Sequence, residues 1–238
     1  MMRSGLSIYE SGDAALRVTA ATGDRELDWR LVHELARHVN GTVIPGILGC
    51  IPTYDALLIE FDPVETSHDL LEPFLEHVIA DLDPTANPFR EAKEFAVPVL
   101  YGGEMGPDLA DVAAQQGLTP DAVIELHQAH PYLIRCLGAP GGSPMADGPA
   151  FPLPVSRLAS PRVSVPQGAV AVAGRQATIA PAPAPGGWAL LGRTPLRMMN
   201  LEREPLVPYQ PGDRLTFHSI SEREFDVLLG TEMKALND

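Results

Sequence analysis

Apolar residues recur with helical spacing at two places in the first third of the chain. They predict amphipathic helices over Arg25–Val39 and Asp69–Leu82. Short apolar runs predict strands at Ala14–Ala20, Val43–Ile47 and Ala56–Phe61. The resulting order β-α-β-β-α indicates a small α+β domain of ferredoxin-like type, with its helices on one face of an antiparallel sheet.

The pattern changes to shorter elements after a Pro-, Asp- and Asn-rich break at Asp83–Pro88. Helices are predicted over Asp108–Gln116 and over Pro120–Gln128, the second with Thr119 as its N-cap. Strands are predicted at Phe95–Leu100, Tyr132–Leu137 and Arg214–Ile220. We therefore divide the chain into an α+β domain over 1–88, a mostly-β domain over 89–220 and a C-terminal helix over 221–238.

The C-terminal helix is predicted from its capping pattern, in which Ser221 is followed by Glu224. It would run over Glu222–Leu236 and carry an apolar stripe of Phe225, Leu228 and Leu229. Such a helix needs docking to stay ordered, either on its own barrel or on a partner.

The stretch Ser160–Arg193 alternates short apolar runs with Pro and Gly. This predicts strands at Val163–Val165, Ala169–Ala173 and Trp188–Leu191, and hence a small closed β domain. The preceding segment Gly138–Pro154 is too rich in Gly and Pro for a regular element. It is either a mobile lid or a rigid active-site loop.

Three segments carry a family resemblance: SPRVSVPQGAVAVAGRQ, PAPGGWALLGRTPLR and YQPGDRLTF. They resemble the allophanate hydrolase subunit 1 family. That family includes the B component of bacterial 5-oxoprolinase, the matching segment of urea carboxylase (a carboxyltransferase domain) and a sporulation-kinase inhibitor. The resemblance implies a cyclophilin-like β-barrel for the second domain.

The resemblance also implies a function. We expect a subunit of a heteromeric, ATP-dependent 5-oxoprolinase that converts 5-oxoproline to glutamate, or of a related urea or allophanate amidolyase. A homologous C-type protein (of the allophanate hydrolase subunit 2 kind) and an A-type protein would be its partners. ATP would act in the complex, not necessarily on this chain. The alternative is a non-catalytic regulatory binding module like the sporulation-kinase inhibitor.

The site residues expected from the resemblance combine two roles. His127 and Gln176 would be catalytic, whereas a small carboxylate or amide would be bound by Arg162, Gly186, Gly187, Trp188, Pro140 and Gly141. Two of these residues have structural alternatives. His127 also suits the negative end of a helix dipole, and Trp188 is a core anchor or a pocket wall.

This chain departs from the family pattern where the family has aromatic residues. Ala139 and Gly142 stand in place of two phenylalanines, and a nearby tyrosine is absent. Ala180 stands in place of a further aromatic residue. The loss of these apolar walls predicts a pocket that is wider, specific for another ligand, or no longer catalytic.

Charge and motifs exclude several functions. The 17 Lys and Arg against 31 Asp and Glu give a net charge of −14, which argues against nucleic acid or anionic membrane as a partner. No apolar stretch is long enough for a membrane span, and the start MMRSGLSIYESGD lacks a signal sequence, so a cytoplasmic location is expected. The sequence has no motif with the spacing of zinc ligands, so no metal site is expected. Serine-hydrolase and Walker A motifs are also absent.

Six arginines against three acidic residues make the segment Ala139–Pro211 locally positive, +3 in a chain of −14. The arginines are Arg157, Arg162, Arg175, Arg193, Arg197 and Arg203. They either form an anion site or pair with acidic groups elsewhere.

Overall fold

The computed structural model describes residues 5–89, 91–139 and 141–236. Contacts between residues divide the chain into two compact units, Met1–Arg90 and Glu91–Asp238. Each unit has its own hydrophobic core. None of the described helices is long and apolar enough to cross a membrane.

Unit 1 is a four-stranded antiparallel sheet with two helices. Its strands are β1 (Leu6–Glu10), β2 (Ala15–Ala20), β3 (Ile47–Pro52) and β4 (Ala56–Phe61), and its helices are α1 (Arg25–Asn40) and α2 (His68–Asp81). The Asp24 carboxylate caps α1 by accepting from the backbone N–H groups of Glu26 and Leu27. The apolar faces of α1 and α2 pack on alternate residues of the sheet, including Leu16, Val18, Leu57 and Ile59.

The predicted ferredoxin-like arrangement is not confirmed. The strand order in the sheet is β1-β2-β4-β3, and the order along the chain is β-β-α-β-β-α. A ferredoxin-like domain ends with a strand after its second helix. Among the described residues of unit 1 no strand follows α2, and β1, which the hydropathy pattern does not predict, supplies the fourth strand instead.

The predicted strand at Val43–Ile47 is wrong, because the chain turns there and pairs only from Ile47 onwards. Val43 is 98% exposed. Gly46 has a φ of +83°, and a Cβ atom at this position would lie 2.9 Å from Thr66 Cγ2. This left-handed turn requires glycine.

Unit 2 contains nine strands and three helices among its described residues. The strands are β5 (Glu94–Tyr101), β6 (Tyr132–Gly138), β7 (Ser143–Asp147), β8 (Arg162–Val165), β9 (Ala169–Ala173), β10 (Gln176–Ile179), β11 (Ala184–Gly186), β12 (Ala189–Arg193) and β13 (Arg214–Ser219). The helices are α3 (Leu109–Gln116), α4 (Pro120–Gln128) and α5 (Glu222–Leu228). Seven of these strands close a barrel in the order β10-β7-β6-β13-β5-β12-β9, which agrees with the predicted closed β domain.

Strands β8 and β11 form a separate two-stranded ribbon beside the barrel. Alternate residues of β9 show where the ribbon lies. Val170 and Val172 belong to the barrel core, whereas Ala169 and Ala171 belong to a second cluster with Val165 of the ribbon. All five residues of β9 are therefore buried, because the core covers one face and the ribbon region covers the other.

The segment Gly138–Pro154 is not a structureless loop, since it contains β7, which pairs with both β6 and β10. The part after β7 is held down on the barrel. The Gln116 side chain accepts from Leu153 N at 2.8 Å, and Arg175 Nη1 donates to Phe151 O at 3.1 Å. Phe151 is itself buried. Of the two predicted alternatives, the contacts favour the rigid loop over the mobile lid.

The C-terminal helix is shorter than predicted, because α5 ends at Leu228. Its capping box is present between Ser221 and Glu224, as expected. Only Phe225 of the predicted stripe is buried, and Leu229 is 60% exposed. The following residues are extended against the barrel, where Met233 and Ala235 join its core and Leu236 N donates to Glu94 O.

Candidate functional site

A cavity of about 350 Å³ lies between the ribbon and the outer face of the barrel. Small side chains make most of its wall, among them Ala139, Ala169, Ala171, Ala180, Ala182 and Ala184. The larger side chains that line it are Met145, Val165, Trp188 and Leu190. Its volume falls in the range of small-molecule sites, which are mostly apolar and contain few polar groups.

The polar groups of the cavity are few. Its described lining residues include one cation, Arg157, and two hydroxyl side chains, Ser143 and Thr178. No histidine, cysteine, lysine or carboxylate occurs among them. The described lining residues therefore include groups that can bind a ligand, but none of the side chains that usually act as a general base.

Three of the predicted binding residues line this cavity: Gly186, Gly187 and Trp188. A Cβ atom on Gly186 would lie 2.9 Å from Val165 Cγ2, so close packing within the ribbon explains this glycine. Trp188 is half-buried and packs against the small cluster outside the barrel core. It is thus a wall of the cavity as well as an apolar anchor of the ribbon.

Arg162 is not among the described residues that line the cavity, although it pairs with Gly186 across the ribbon. Its Nη2 donates to Asp108 Oδ1 at 2.7 Å. The same buried carboxylate accepts from Leu190 N through Oδ2, also at 2.7 Å. Asp108 therefore ties β8 of the ribbon to β12 of the barrel, which fixes the two sides of the cavity. The glycine-rich turn before it packs tightly on β12, since a Cβ atom on Gly106 would lie 1.9 Å from Leu191 O.

His127 lies away from the cavity wall, at the end of α4 in the barrel core. It is fully buried against the rings of Tyr101, Tyr132 and Phe217, and its Nδ1 lies 2.8 Å from Tyr101 Oη. Its Nε2 has no hydrogen-bond partner within the described part of the chain. Burial, with a smaller contribution from His130, lowers the pKa of His127 to about 3, so the ring is neutral at physiological pH.

The remaining predicted residues are spread out. Gln176 opens β10, where it pairs with Asp147 and Ala173 and is not among the described lining residues. Gly141 has a φ of +68° and faces Met199. Pro140 lies outside the described residues. The catalytic roles of His127 and Gln176 stay predictions, and the structure does not bring them to the cavity.

The six arginines of the positive segment differ in their partners. Besides Arg162, four contact protein groups: Arg175 donates to Phe151 O, Arg193 to Gln167 O, and Arg197 and Arg203 pair with Glu232. Arg157 has only the ring of Trp188, with Cζ 5.9 Å from the ring centroid, among the described contacts. Three of the six arginines therefore pair with carboxylates, two donate to backbone carbonyls, and Arg157 faces the cavity.

The sequence interpretation does not identify Thr178 as a site residue, and it names Arg157 only as one of six arginines that could form an anion site. Thr178 alternates with Ala177 and Ile179 of the barrel core, so its side chain points to the opposite face of β10. That alternation is readable in the sequence, but the ribbon that turns this face into a cavity wall is not. Arg157 follows a Pro-rich stretch with no periodic signal.

A closed barrel with a ribbon-covered cavity defines an α+β protein with a candidate binding site, and comparison with known proteins places it in a family. The carboxyltransferase domain, subdomain C and D, matches residues 6–209. The B component of 5-oxoprolinase from Bacillus subtilis is 33% identical over 227 residues, which cover 92% of this chain and 94% of that protein. The chain belongs to this carboxyltransferase-domain family, as the resemblance of its motifs predicted.

Two solved structures extend the comparison. TTHA0988 is 33% identical, with a TM-score of 0.73, and the match covers 88% of this chain and 40% of that one. The Kluyveromyces lactis urea amidolyase has a TM-score of 0.74 at 20% identity, and the match covers 99% of this chain and 16% of that one. This chain thus spans well under half of either structure, and the second likeness concerns the fold alone.

Proposed function

We propose that this protein is the B-type component of a heteromeric amidolyase that opens the lactam of 5-oxoproline in a reaction driven by ATP. The observation that carries the proposal is the near full-length similarity to the B component of Bacillus subtilis 5-oxoprolinase. A homologous C-type protein and a separate A-type protein are its partners in this proposal. ATP acts in the assembled complex, and no metal is assigned to this chain.

The cavity supports a binding role within that complex. Its described wall combines apolar small residues, a cation and hydroxyl groups, which suits a lactam acid. Because no ordinary general base is among those wall residues, the proposal assigns the proton transfers to groups that the partner proteins bring.

A reconstitution experiment tests this proposal. The purified chain is combined with the A-type and C-type proteins of the same organism, and glutamate release from 5-oxoproline is measured with ATP hydrolysis. We expect turnover only with all three proteins and ATP. Hydrolysis of the lactam by the isolated chain without ATP would contradict the proposal.

The alternative is a regulatory module that binds a ligand or protein without turnover. The absence of acid–base groups from the described cavity wall favours it, as does the replacement of family aromatics at Ala139 and Ala180, which both line the cavity. A stable complex with the partner proteins that turns over no amide substrate would support this alternative.

A further inference from the structure

One cation at the cavity mouth has no acidic partner. Arg157 is exposed, and among the described residues no carboxylate pairs with it, whereas its guanidinium lies over the ring of Trp188. The backbone beside it is tied to the strand connection before Trp188, because Leu158 N donates to Gly187 O at 2.8 Å. An arginine held over a ring keeps its forked donors available for a carboxylate.

The volume exceeds what a five-membered lactam acid requires. At roughly 30 Å³ per water in the liquid, the cavity of about 350 Å³ corresponds to about twelve waters. Six alanines and Trp188 give the surplus space an apolar wall. Apolar space of this kind favours a ligand that carries its own apolar group into it.

We infer that this cavity binds monocarboxylates that carry an apolar group larger than the ring of 5-oxoproline. Arg157 binds the carboxylate, and the alanine wall contacts the apolar group. This ligand class belongs to the same site as the proposed function. Turnover of such a ligand rests on that function, whereas its binding to the cavity does not.

Three probes separate the contributions of charge and size. N-benzoylglycine has the carboxylate, the amide and an apolar ring; N-acetylglycine lacks the ring; N-benzoylglycinamide lacks the charge. Binding to the isolated chain is followed by the indole N–H resonances of the two tryptophans, Trp188 at the cavity and Trp29 in unit 1 as an internal reference. We expect N-benzoylglycine to bind roughly tenfold more tightly than either analogue and to shift only Trp188.

Substitutions then assign the contacts. Arg157→Gln should weaken N-benzoylglycine about three- to tenfold and leave the neutral amide unchanged. Arg223→Gln, which removes the same charge from the exposed face of α5, is the matched control and should change nothing.

Clear outcomes would overturn the inference. They are equal binding of the acid and its amide, equal binding of the acetyl and benzoyl compounds, or unchanged affinity in Arg157→Gln. Turnover of 5-oxoproline by the reconstituted complex is measured in parallel. Turnover without Arg157-dependent binding would contradict the ligand class and support the proposed function. Arg157-dependent binding without turnover would support the ligand class and contradict the proposed function.

Discussion

Unit 2 contains two sites with opposite surroundings. One is the buried side chain of His127, and the other is the cavity beside the ribbon. His127 is enclosed by Tyr101, Tyr132 and Phe217, and its titratable ring is fully buried. The cavity is lined by alanines, and its described wall contains no group that titrates near neutral pH. Among the described residues of unit 2, the buried histidine and the space for a ligand are therefore in different places.

The difference lies in the side chains that surround each site. Aromatic rings fill the space beside α4 and leave a neutral histidine as part of the core, whereas small residues leave space between ribbon and barrel. The first site should therefore respond to mutation through stability, and the second through binding. Three experiments test that contrast.

Replacement of His127 should have the largest effect. His127→Ala removes a fully buried ring and its hydrogen bond of 2.8 Å to the Tyr101 hydroxyl. We expect the free energy of unfolding of unit 2 to fall by about 3 kcal/mol, as measured by urea denaturation. Ligand affinity at the cavity should stay unchanged in the folded protein.

His77→Ala is the matched control, since this histidine lies on α2 with a side chain that is 79% exposed. It should change stability by less than about 0.5 kcal/mol. The contrast between the two sites fails if His127→Ala unfolds no more easily than the control and yet abolishes turnover in the reconstituted complex. His127 would then be catalytic, as the family resemblance implies.

The acid dependence of stability should show the same buried ring. The pKa of His127 is lowered from 6.5 to about 3 in the folded chain, so between these values the unfolded chain binds a proton that the folded chain does not. Its contribution to stability is complete above pH 6.5 and is lost as the pH falls, by up to about 1.4 kcal/mol per pH unit. The stability of His127→Gln should fall less steeply over this range in urea titrations. Parallel curves for the two proteins would show that His127 is not a buried neutral ring.

The smallest effect on stability should come from the cavity. Ala180→Phe places a ring in existing space at a position where the family has an aromatic residue, so the free energy of unfolding should change by no more than about 1 kcal/mol. The affinity for N-benzoylglycine should fall at least about tenfold, because the ring occupies the volume of the ligand. Titration calorimetry measures the affinity, and urea denaturation measures the free energy of unfolding. A large loss of stability with unchanged affinity would place the ligand elsewhere.

Local signals in the sequence predict much of the fold. Thr119 and Pro120 begin α4 as expected, and the capping box of Ser221 begins α5. These signals depend on side chains that bond to their own backbone, so they act without tertiary context. The closed β domain follows in the same way from short apolar runs between turn residues.

Other features depend on contacts between distant segments and cannot be read locally. Strand β7 contains Pro144 and follows two glycines, yet β6 and β10 pair with it on both sides. The length of α5 depends on the barrel, which binds Met233 and Ala235 in extended form. The site shows the same limit, since the motif residues Gly186, Gly187 and Trp188 reach the cavity while His127 and Gln176 do not.

The parallel pairing of β5 with β13 brings the two ends of unit 2 together. Glu94 lies opposite Arg214, and Leu236 N returns to donate to Glu94 O at 2.8 Å. A short linker could therefore join the ends of the unit, and new termini could be opened at an exposed turn, giving a circular permutant with the same barrel. The same closeness lets such a unit be inserted into a longer polypeptide with little rearrangement of either, as a module that enters and leaves its host at a single point.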